Sequence, residues 1–181
     1  MKLNKICPLI VLVVCCLLPI KNLATQTNNG LKKLDTPTYK SFRFGIKKTN
    51  SKEILISTPL LYNPTTGFGF DFGSVSNVKI NSNSFSTEKP TYFSVAVPEG
   101  NYKIEIIIGS KEKGSKVTIK AESRRLMLNQ FSVKKGSQVT KTFNVNIRNP
   151  KIDATSNMSL KDREKDTFNW DDKLTLEFLS E

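Results

Sequence analysis

At 181 residues, the chain has room for one domain of ordinary size, and its 28 basic and 16 acidic residues give a net charge of +12. It contains no histidine, which excludes the usual general base, the orienting member of a catalytic triad and the commonest metal ligand. A strongly basic balance attracts polyanions without saying which kind.

Residues 1–24 have the pattern of a secretory signal. Lys2 and Lys5 precede an apolar run over residues 6–18, which is short for a membrane span, and Ala24 offers a small residue at a cleavage point. We therefore expect a secreted or periplasmic protein that has no membrane association after cleavage.

A lipid anchor is a less favoured interpretation of the same segment, and an uncleaved anchor ranks third. Cys15 and Cys16 lie near the end of the apolar run, but Val14 is a poor match to the small residue that lipid modification requires before the cysteine. All three cysteines lie in this segment, so the mature chain would have no disulfide and would depend on its core for stability.

The charge of the mature chain favours an acidic polysaccharide over nucleic acid as a partner. Loss of Lys2, Lys5 and Lys21 leaves 25 basic against 16 acidic residues, a net charge of +9. Nucleic acid is not expected because the chain has an export signal and its lysines do not cluster with aromatic residues. For most of these lysines, the simplest interpretation is a solvated surface.

Strand patterns begin after residues 25–40, whose polar composition predicts a flexible leader; residues 41–181 are then one domain. Phe42 and Phe44 predict the first strand. Residues 67–73 read GFGFDFG, where three phenylalanines share one face at period two and the glycines permit a bulge or a close backbone approach. We expect Phe68, Phe70 and Phe72 to be core residues; the alternative is an aromatic platform for a sugar.

The clearest β pattern covers residues 91–109. Apolar residues alternate on both sides of a turn at residues 98–101: Phe93, Val95 and Val97 before it, and Tyr102, Ile104, Ile106 and Ile108 after it. This pattern predicts a β-hairpin.

Three later segments repeat the alternation. They contain Val117, Ile119 and Ala121; Phe143, Val145 and Ile147; and Leu174, Leu176 and Phe178. Strands at this spacing, with turn residues between them, predict an all-β fold, an antiparallel β-sandwich of the jelly-roll type.

Two irregular segments are candidate ligand sites. Glu122, Arg124 and Arg125 place a carboxylate and two forked guanidinium groups near a strand end, an arrangement suited to a ligand that bears a carboxylate. The alternative is that these arginines pair internally with Asp162 or Glu164 and hold the long loop against the sheet.

The second segment covers residues 162–172. Asn169, Trp170 and Asp171 combine an aromatic ring with amide and carboxylate groups, which is the composition of a sugar site, and we include Asp162 and Arg163 in the candidate site. The alternative is that Trp170 caps the core.

No motif in the chain predicts catalysis. There is no Gly-x-Ser-x-Gly motif and no phosphate-binding glycine-rich loop, so we expect no enzyme activity and no catalytic residue. Hydrolysis by two carboxylates is the one common mechanism that the sequence leaves open. We also predict no cofactor and no metal site, although a structural calcium ion at Asp171 and Asp172 is left open.

Five motifs together resemble a known family. They are FRFG at 42–45, GFGFD at 67–71, FSVAVPEGNYKIEIIIG at 93–109, AESRRLML at 121–128 and KDREKDTFNWDDKLTLEF at 161–178. This ordered set is similar to the galactose-binding-like β-sandwich that precedes the SGNH-type catalytic domain of bacterial rhamnogalacturonan acetylesterases and of related esterases and β-agarases.

The resemblance implies a non-catalytic, carbohydrate-associated module. Its expected partner is a polysaccharide or oligosaccharide, with acidic plant cell-wall pectin favoured because the chain is basic, and a separate esterase domain is a further candidate partner. The alternative is a structural remnant of a truncated carbohydrate esterase that has no ligand of its own.

Overall fold

The computed structural model describes the backbone of residues 9–16 and describes residues 39–153, 155–165 and 169–180. Twelve strands dominate these residues: β1 Leu9–Cys16, β2 Tyr39–Phe44, β3 Glu53–Ile56, β4 Phe68–Asp71, β5 Val78–Ile80, β6 Phe85–Thr87, β7 Thr91–Ala96, β8 Gly100–Ile108, β9 Ser115–Ala121, β10 Arg125–Val133, β11 Val139–Ile147 and β12 Lys173–Ser180. A 3-10 helix at Ser74–Asn77 and the short α1 at Asp162–Lys165 complete the regular structure.

The strands form two sheets, and the predicted all-β sandwich is confirmed. A seven-stranded sheet has the order β11-β8-β1-β2-β3, with β6 and β5 continuing from β1, and a five-stranded sheet has the order β10-β9-β12-β7-β4. All pairs are antiparallel except β2 and β3. The jelly-roll type stays a prediction.

The predicted inward faces of the later strands are also confirmed. Ile119 and Phe178 are fully buried, and Leu174 and Leu176 are almost fully buried. Strand β2 begins at Tyr39, two residues before the predicted start of the domain.

The predicted hairpin at residues 91–109 is wrong in its pairing. Both strands exist, but β7 pairs with β12 and β4 in one sheet, whereas β8 pairs with β11 and β1 in the other. The link between them is held by the Tyr102 hydroxyl, which donates to the carbonyl oxygen of Pro98, and by the Val97 N–H, which donates to Asp172 O at 3.0 Å. The alternation of apolar residues shows which side chains share a face of a strand, but it does not show which other strand pairs with that strand.

Strand β1 overlaps the predicted export signal. It lies between β2 and β8, with Val13 opposite both Phe42 and Ile106. The cleavage of residues 1–24 stays a prediction, and if it occurs, β2 and β8 lose the strand between them.

A cluster of phenylalanine rings joins the two sheets. Phe42, Phe44 and Phe85 come from the seven-stranded sheet, and Phe70, Phe93 and Phe178 come from the five-stranded sheet; all six are buried. Their ring centroids lie 4.7 to 5.8 Å apart in edge-to-face or tilted contacts. Such pairs contribute roughly 0.5–1.5 kcal/mol beyond the burial of apolar area.

Phe70 in β4 and Phe72, the residue that follows β4, give a matched test of this core. Phe70→Ala should lower the free energy of unfolding by about 3–5 kcal/mol, because it leaves a cavity beside three rings. Phe72→Ala should cost about 1 kcal/mol or less, because Phe72 is 45% exposed. Urea unfolding of both variants measures the difference, and equal losses would contradict this assignment of the core.

Candidate functional site

The candidate site lies on the side of the five-stranded sheet that faces away from the phenylalanine core. In β12, the buried residues Leu174, Leu176 and Phe178 face the core. Side chains alternate along a strand, so Lys173 and Thr175 project to the opposite side. Asp71 of β4 and Tyr92 of β7, which are directly opposite each other in the ladder, lie on that same side.

Tyr62 reaches this face because its backbone runs close beside β4. Its N–H donates to Phe70 O at 2.9 Å, and the Phe70 N–H donates to Leu60 O at 2.7 Å. The approach requires Gly69, which has φ 151° and whose Cβ, if present, would lie 2.5 Å from the Tyr62 nitrogen. The predicted close backbone approach at these glycines is therefore confirmed.

Phe72 corrects the prediction that all three phenylalanines of residues 67–73 are core residues. Phe70 is buried and Phe68 packs against the core, but Phe72 has φ 51° and is 45% exposed. The left-handed backbone breaks the alternation. The Phe72 ring instead meets the Tyr92 ring edge-to-face, with centroids 5.5 Å apart.

Lys173 lies at the centre of these groups. Its Nζ is 2.8 Å from Asp71 Oδ2, and it lies 4.8 Å from the ring centroid of Tyr62 and 4.9 Å from that of Phe72. We call Tyr62, Asp71, Phe72, Tyr92 and Lys173 the outer cluster. A cation held over two rings and against a carboxylate has a fixed position.

Within the outer cluster, the Asp71 carboxyl group and the Lys173 ammonium group are both charged at neutral pH. Burial opposes the charge of Asp71, but hydrogen bonds from Lys173, Phe72 N–H and Ser94 hold the pKa of this carboxyl below its usual range. Burial likewise opposes the charge of Lys173, yet the hydrogen bond to Asp71 raises the pKa of the ammonium group. The pair is therefore a salt bridge in which each partner stabilises the charged form of the other.

A row of buried polar groups lies next to the outer cluster. Ser94 Oγ and Thr175 Oγ1 are 2.9 Å apart, and both residues are almost completely buried. The Thr175 N–H donates to Glu122 Oε1 at 3.0 Å, and the Glu122 N–H donates to Thr175 O at 3.0 Å. Glu122 therefore fastens the turn between β9 and β10 to β12.

Glu122 is a buried carboxyl with a displaced pKa. Burial raises its pKa to about 7, helped by the nearby Asp171 carboxylate and opposed by the Thr175 N–H, Arg125 and Lys173. Burial also raises the pKa of Asp171, against the attraction of Lys173. Raised carboxyl pKa values often mark functional sites, but Glu122 is only 2% exposed.

The structure brings some of the predicted site residues together. Arg125 and Asp171 both lie close enough to Glu122 to affect the pKa of its carboxyl group. Asp171 Oδ2 is 3.7 Å from Lys173 Nζ, next to the outer cluster. Asn169 and Trp170 are half-buried in the turn that precedes β12.

The other predicted residues have different environments. Arg125 Nη1 donates to the carbonyl oxygen of Asn146 at 2.8 Å, so part of its guanidinium group is already used by the protein. Arg124 is exposed in the turn after β9, where Glu122 and Ser123 both have positive φ. Asp162 and Arg163 are exposed at the start of α1.

Sequence reasoning missed Tyr62, Tyr92 and Lys173 as members of the site, and it named Phe72 only in the alternative of an aromatic platform for a sugar. The available signal was that Asp71 and Lys173 are outward residues of two predicted strands. Nothing in the sequence shows that these strands share a sheet, because the two residues are 102 positions apart.

Within the described ranges, no group of three or more His, Cys, Asp or Glu side chains is arranged to hold a metal ion. The described helices include none long and apolar enough to span a membrane. Comparisons with family models, curated proteins and solved structures found no match to this chain.

The buried Glu122 carboxyl predicts a stability that falls as the pH rises. Its pKa is about 7 in the folded state, compared with the ordinary glutamate value of 4.5, so the folded state binds more protons than the unfolded state between these two pH values. Stability should therefore decrease from about pH 5 to about pH 8 by roughly 2–3 kcal/mol from this group alone.

Glu122→Gln should remove this contribution, because the amide keeps the acceptor for the Thr175 N–H and carries no charge. Urea unfolding at about pH 5 and about pH 8 measures the decrease. Glu88→Gln, a change at an exposed carboxylate, is the matched control and should keep the wild-type decrease. The same pH dependence in Glu122→Gln and the wild type would refute the assignment.

Proposed function

We propose that this chain is a non-catalytic, carbohydrate-associated module, and the outer cluster is the observation that supports the proposal. Phe72 offers an exposed ring beside Tyr92 and Tyr62, and Asp71 and Lys173 lie at the edge of these rings. A sugar can place its C–H face on such a ring while its hydroxyl groups bond to charged groups at the rim.

The environment of the carboxyl groups supports a binding role over a catalytic one. Asp71 is held by Lys173, and Glu122 is buried and accepts the Thr175 N–H. A general acid must reach the bond that it protonates, and a carboxyl group that is 2% exposed cannot do so. The raised pKa of Glu122 is thus a consequence of its structural position.

The two-sheet architecture is compatible with the resemblance to the galactose-binding-like module of rhamnogalacturonan acetylesterases. On this proposal, the module associates with a polysaccharide, and a separate esterase domain is a candidate partner. The competing hypothesis is a structural remnant of such an esterase with no ligand of its own.

Affinity electrophoresis and calorimetry against rhamnogalacturonan and neutral galactans test the proposal. The wild type should bind at least one of them, and Phe72→Ala should weaken binding about threefold to tenfold, because a stacked ring contributes roughly 0.5–1.5 kcal/mol. The control is Leu126→Ala, which removes an exposed apolar side chain on a different strand, β10. This variant should bind like the wild type. Failure of the folded wild type to bind any of these glycans would favour the remnant.

We also propose that the chain is exported, from the signal pattern of residues 1–24. Expression in an exporting bacterial host followed by intact-mass measurement should show the loss of these residues. Because β1 pairs with both β2 and β8, amides of these two strands should exchange faster in the cleaved chain than in the full chain. A secreted product of full-length mass would contradict the cleavage.

A further inference from the structure

A polar groove lies away from the outer cluster, beside β5 and β6. Its first pocket has a volume of about 210 Å³ and lies between residues 79–86 and the loop that follows β8. Serine and asparagine side chains form most of its wall, together with Lys79, Lys113 and Glu112. Such a wall is rich in hydrogen-bonding groups and poor in apolar surface, which suits a polyhydroxylated ligand.

A second pocket of about 260 Å³ adjoins the first. The two pockets share Lys79 and Ser86, and the second extends to Glu88 and Lys89. We call both pockets together the polar groove. Each is smaller than the roughly 300–1,000 Å³ of a site that encloses a drug-sized ligand, so each suits one small unit of a longer chain.

The groove carries an excess of positive charge. Lys113, Lys79 and Lys89 are exposed at successive positions along it, against the carboxylates of Glu112 and Glu88. The turn with Lys134 and Lys135 adds to this field, because the Gly136 N–H donates to Ser110 O at 2.8 Å and so places the turn against the wall of the first pocket. Clustered ammonium groups attract anions into a cleft.

Hydroxyl groups of the first pocket are held in place. Asn81 Nδ2 donates to Ser86 Oγ at 3.3 Å, and Ser110 Oγ accepts the Glu112 N–H at 3.0 Å. Ser84 is only 2% exposed, and among the described residues none forms a hydrogen bond with its Oγ. Because this oxygen is buried, the hydrogen-bonding groups that a ligand can reach in the pocket are those of the exposed Ser82 and of the half-buried Asn81 and Asn83.

From these observations we infer that the polar groove binds neighbouring uronate units of an acidic oligosaccharide. The lysines face successive carboxylates, and the serine and asparagine side chains bond to the sugar hydroxyl groups. The inference rests on the proposed carbohydrate association and names its acidic ligand class. In the outer cluster, one ammonium group, that of Lys173, lies against the two carboxylates of Asp71 and Asp171. In the groove, three ammonium groups lie against two carboxylates, so the groove is the site that favours an acidic ligand.

Calorimetry with the folded wild-type chain tests the inference, using trigalacturonate, a glucuronate-containing oligosaccharide and a neutral galactose trimer. At least one uronate ligand should bind more tightly than the neutral trimer, and its affinity should fall as salt is added. The double variant Lys79→Gln and Lys113→Gln should lose about tenfold or more in uronate affinity.

The matched control is the double variant Lys103→Gln and Lys151→Gln, which makes the same change in charge. Lys103 lies near the start of β8, whereas Ser110 follows the end of this strand, and both control lysines are exposed. The control should keep uronate affinity within about twofold. Equal losses in both double variants would overturn the groove in favour of diffuse attraction to a basic surface.

The outcomes separate the groove from the proposed function. Binding of neutral galactan that depends on Phe72, without tighter binding of uronate, overturns the groove and leaves carbohydrate association intact. Absence of binding to any glycan overturns both.

Discussion

The packing of six phenylalanine rings between the two sheets is the constraint on which the rest of the structure depends. Phe44 of one sheet contacts Phe70 and Phe93 of the other, and Phe85 contacts Phe70, at centroid distances of 5.3 to 5.8 Å. Interdigitated rings leave little freedom for one sheet to shift relative to the other, since close-packed interiors do not deform gradually. The positions of β4, β7 and β12 are thereby fixed, and with them the groups that project outward from these strands.

The outward side of the five-stranded sheet is unusual because some of its polar groups are buried. Ser94, Thr175 and Glu122 form a hydrogen-bonded row there, and Glu122 ties the β9–β10 turn to β12. Burying a carboxyl group is unfavourable, and its pKa rises to about 7 as a result. This row lies next to Lys173 and Asp71, and a hydrogen bond from Ser94 reaches the Asp71 carboxyl group.

The molecule has two different electrostatic environments that the net charge of +12 does not distinguish. The outer cluster pairs Lys173 with carboxylates, while the polar groove gathers Lys79, Lys89 and Lys113 around serine and asparagine side chains. A composition value sums over the whole chain, whereas a ligand responds to charges within about 10 Å. The proposed acidic ligand is therefore assigned to the groove, and the uncharged part of a glycan to the outer cluster.

The sequence by itself determined most of the strands, most of the residues that face the core and the all-β class, because the alternation of side chains is a local property that survives any choice of partner. It did not identify β1, β5 or β6, and so it missed Phe85 as a core residue. Tertiary structure alone decided the partners: β7 and β8 lie in different sheets, and Asp71 meets Lys173 across 102 positions. It also decided the exceptions to alternation, which occur at two residues with positive φ. At Phe72 the ring turns outward, and at Glu122 the carboxyl group lies in a buried turn. The candidate site was thus only partly predictable. Asp171 and Glu122 were identified from composition, but the rings and the ammonium group beside them come together only when the two sheets pack.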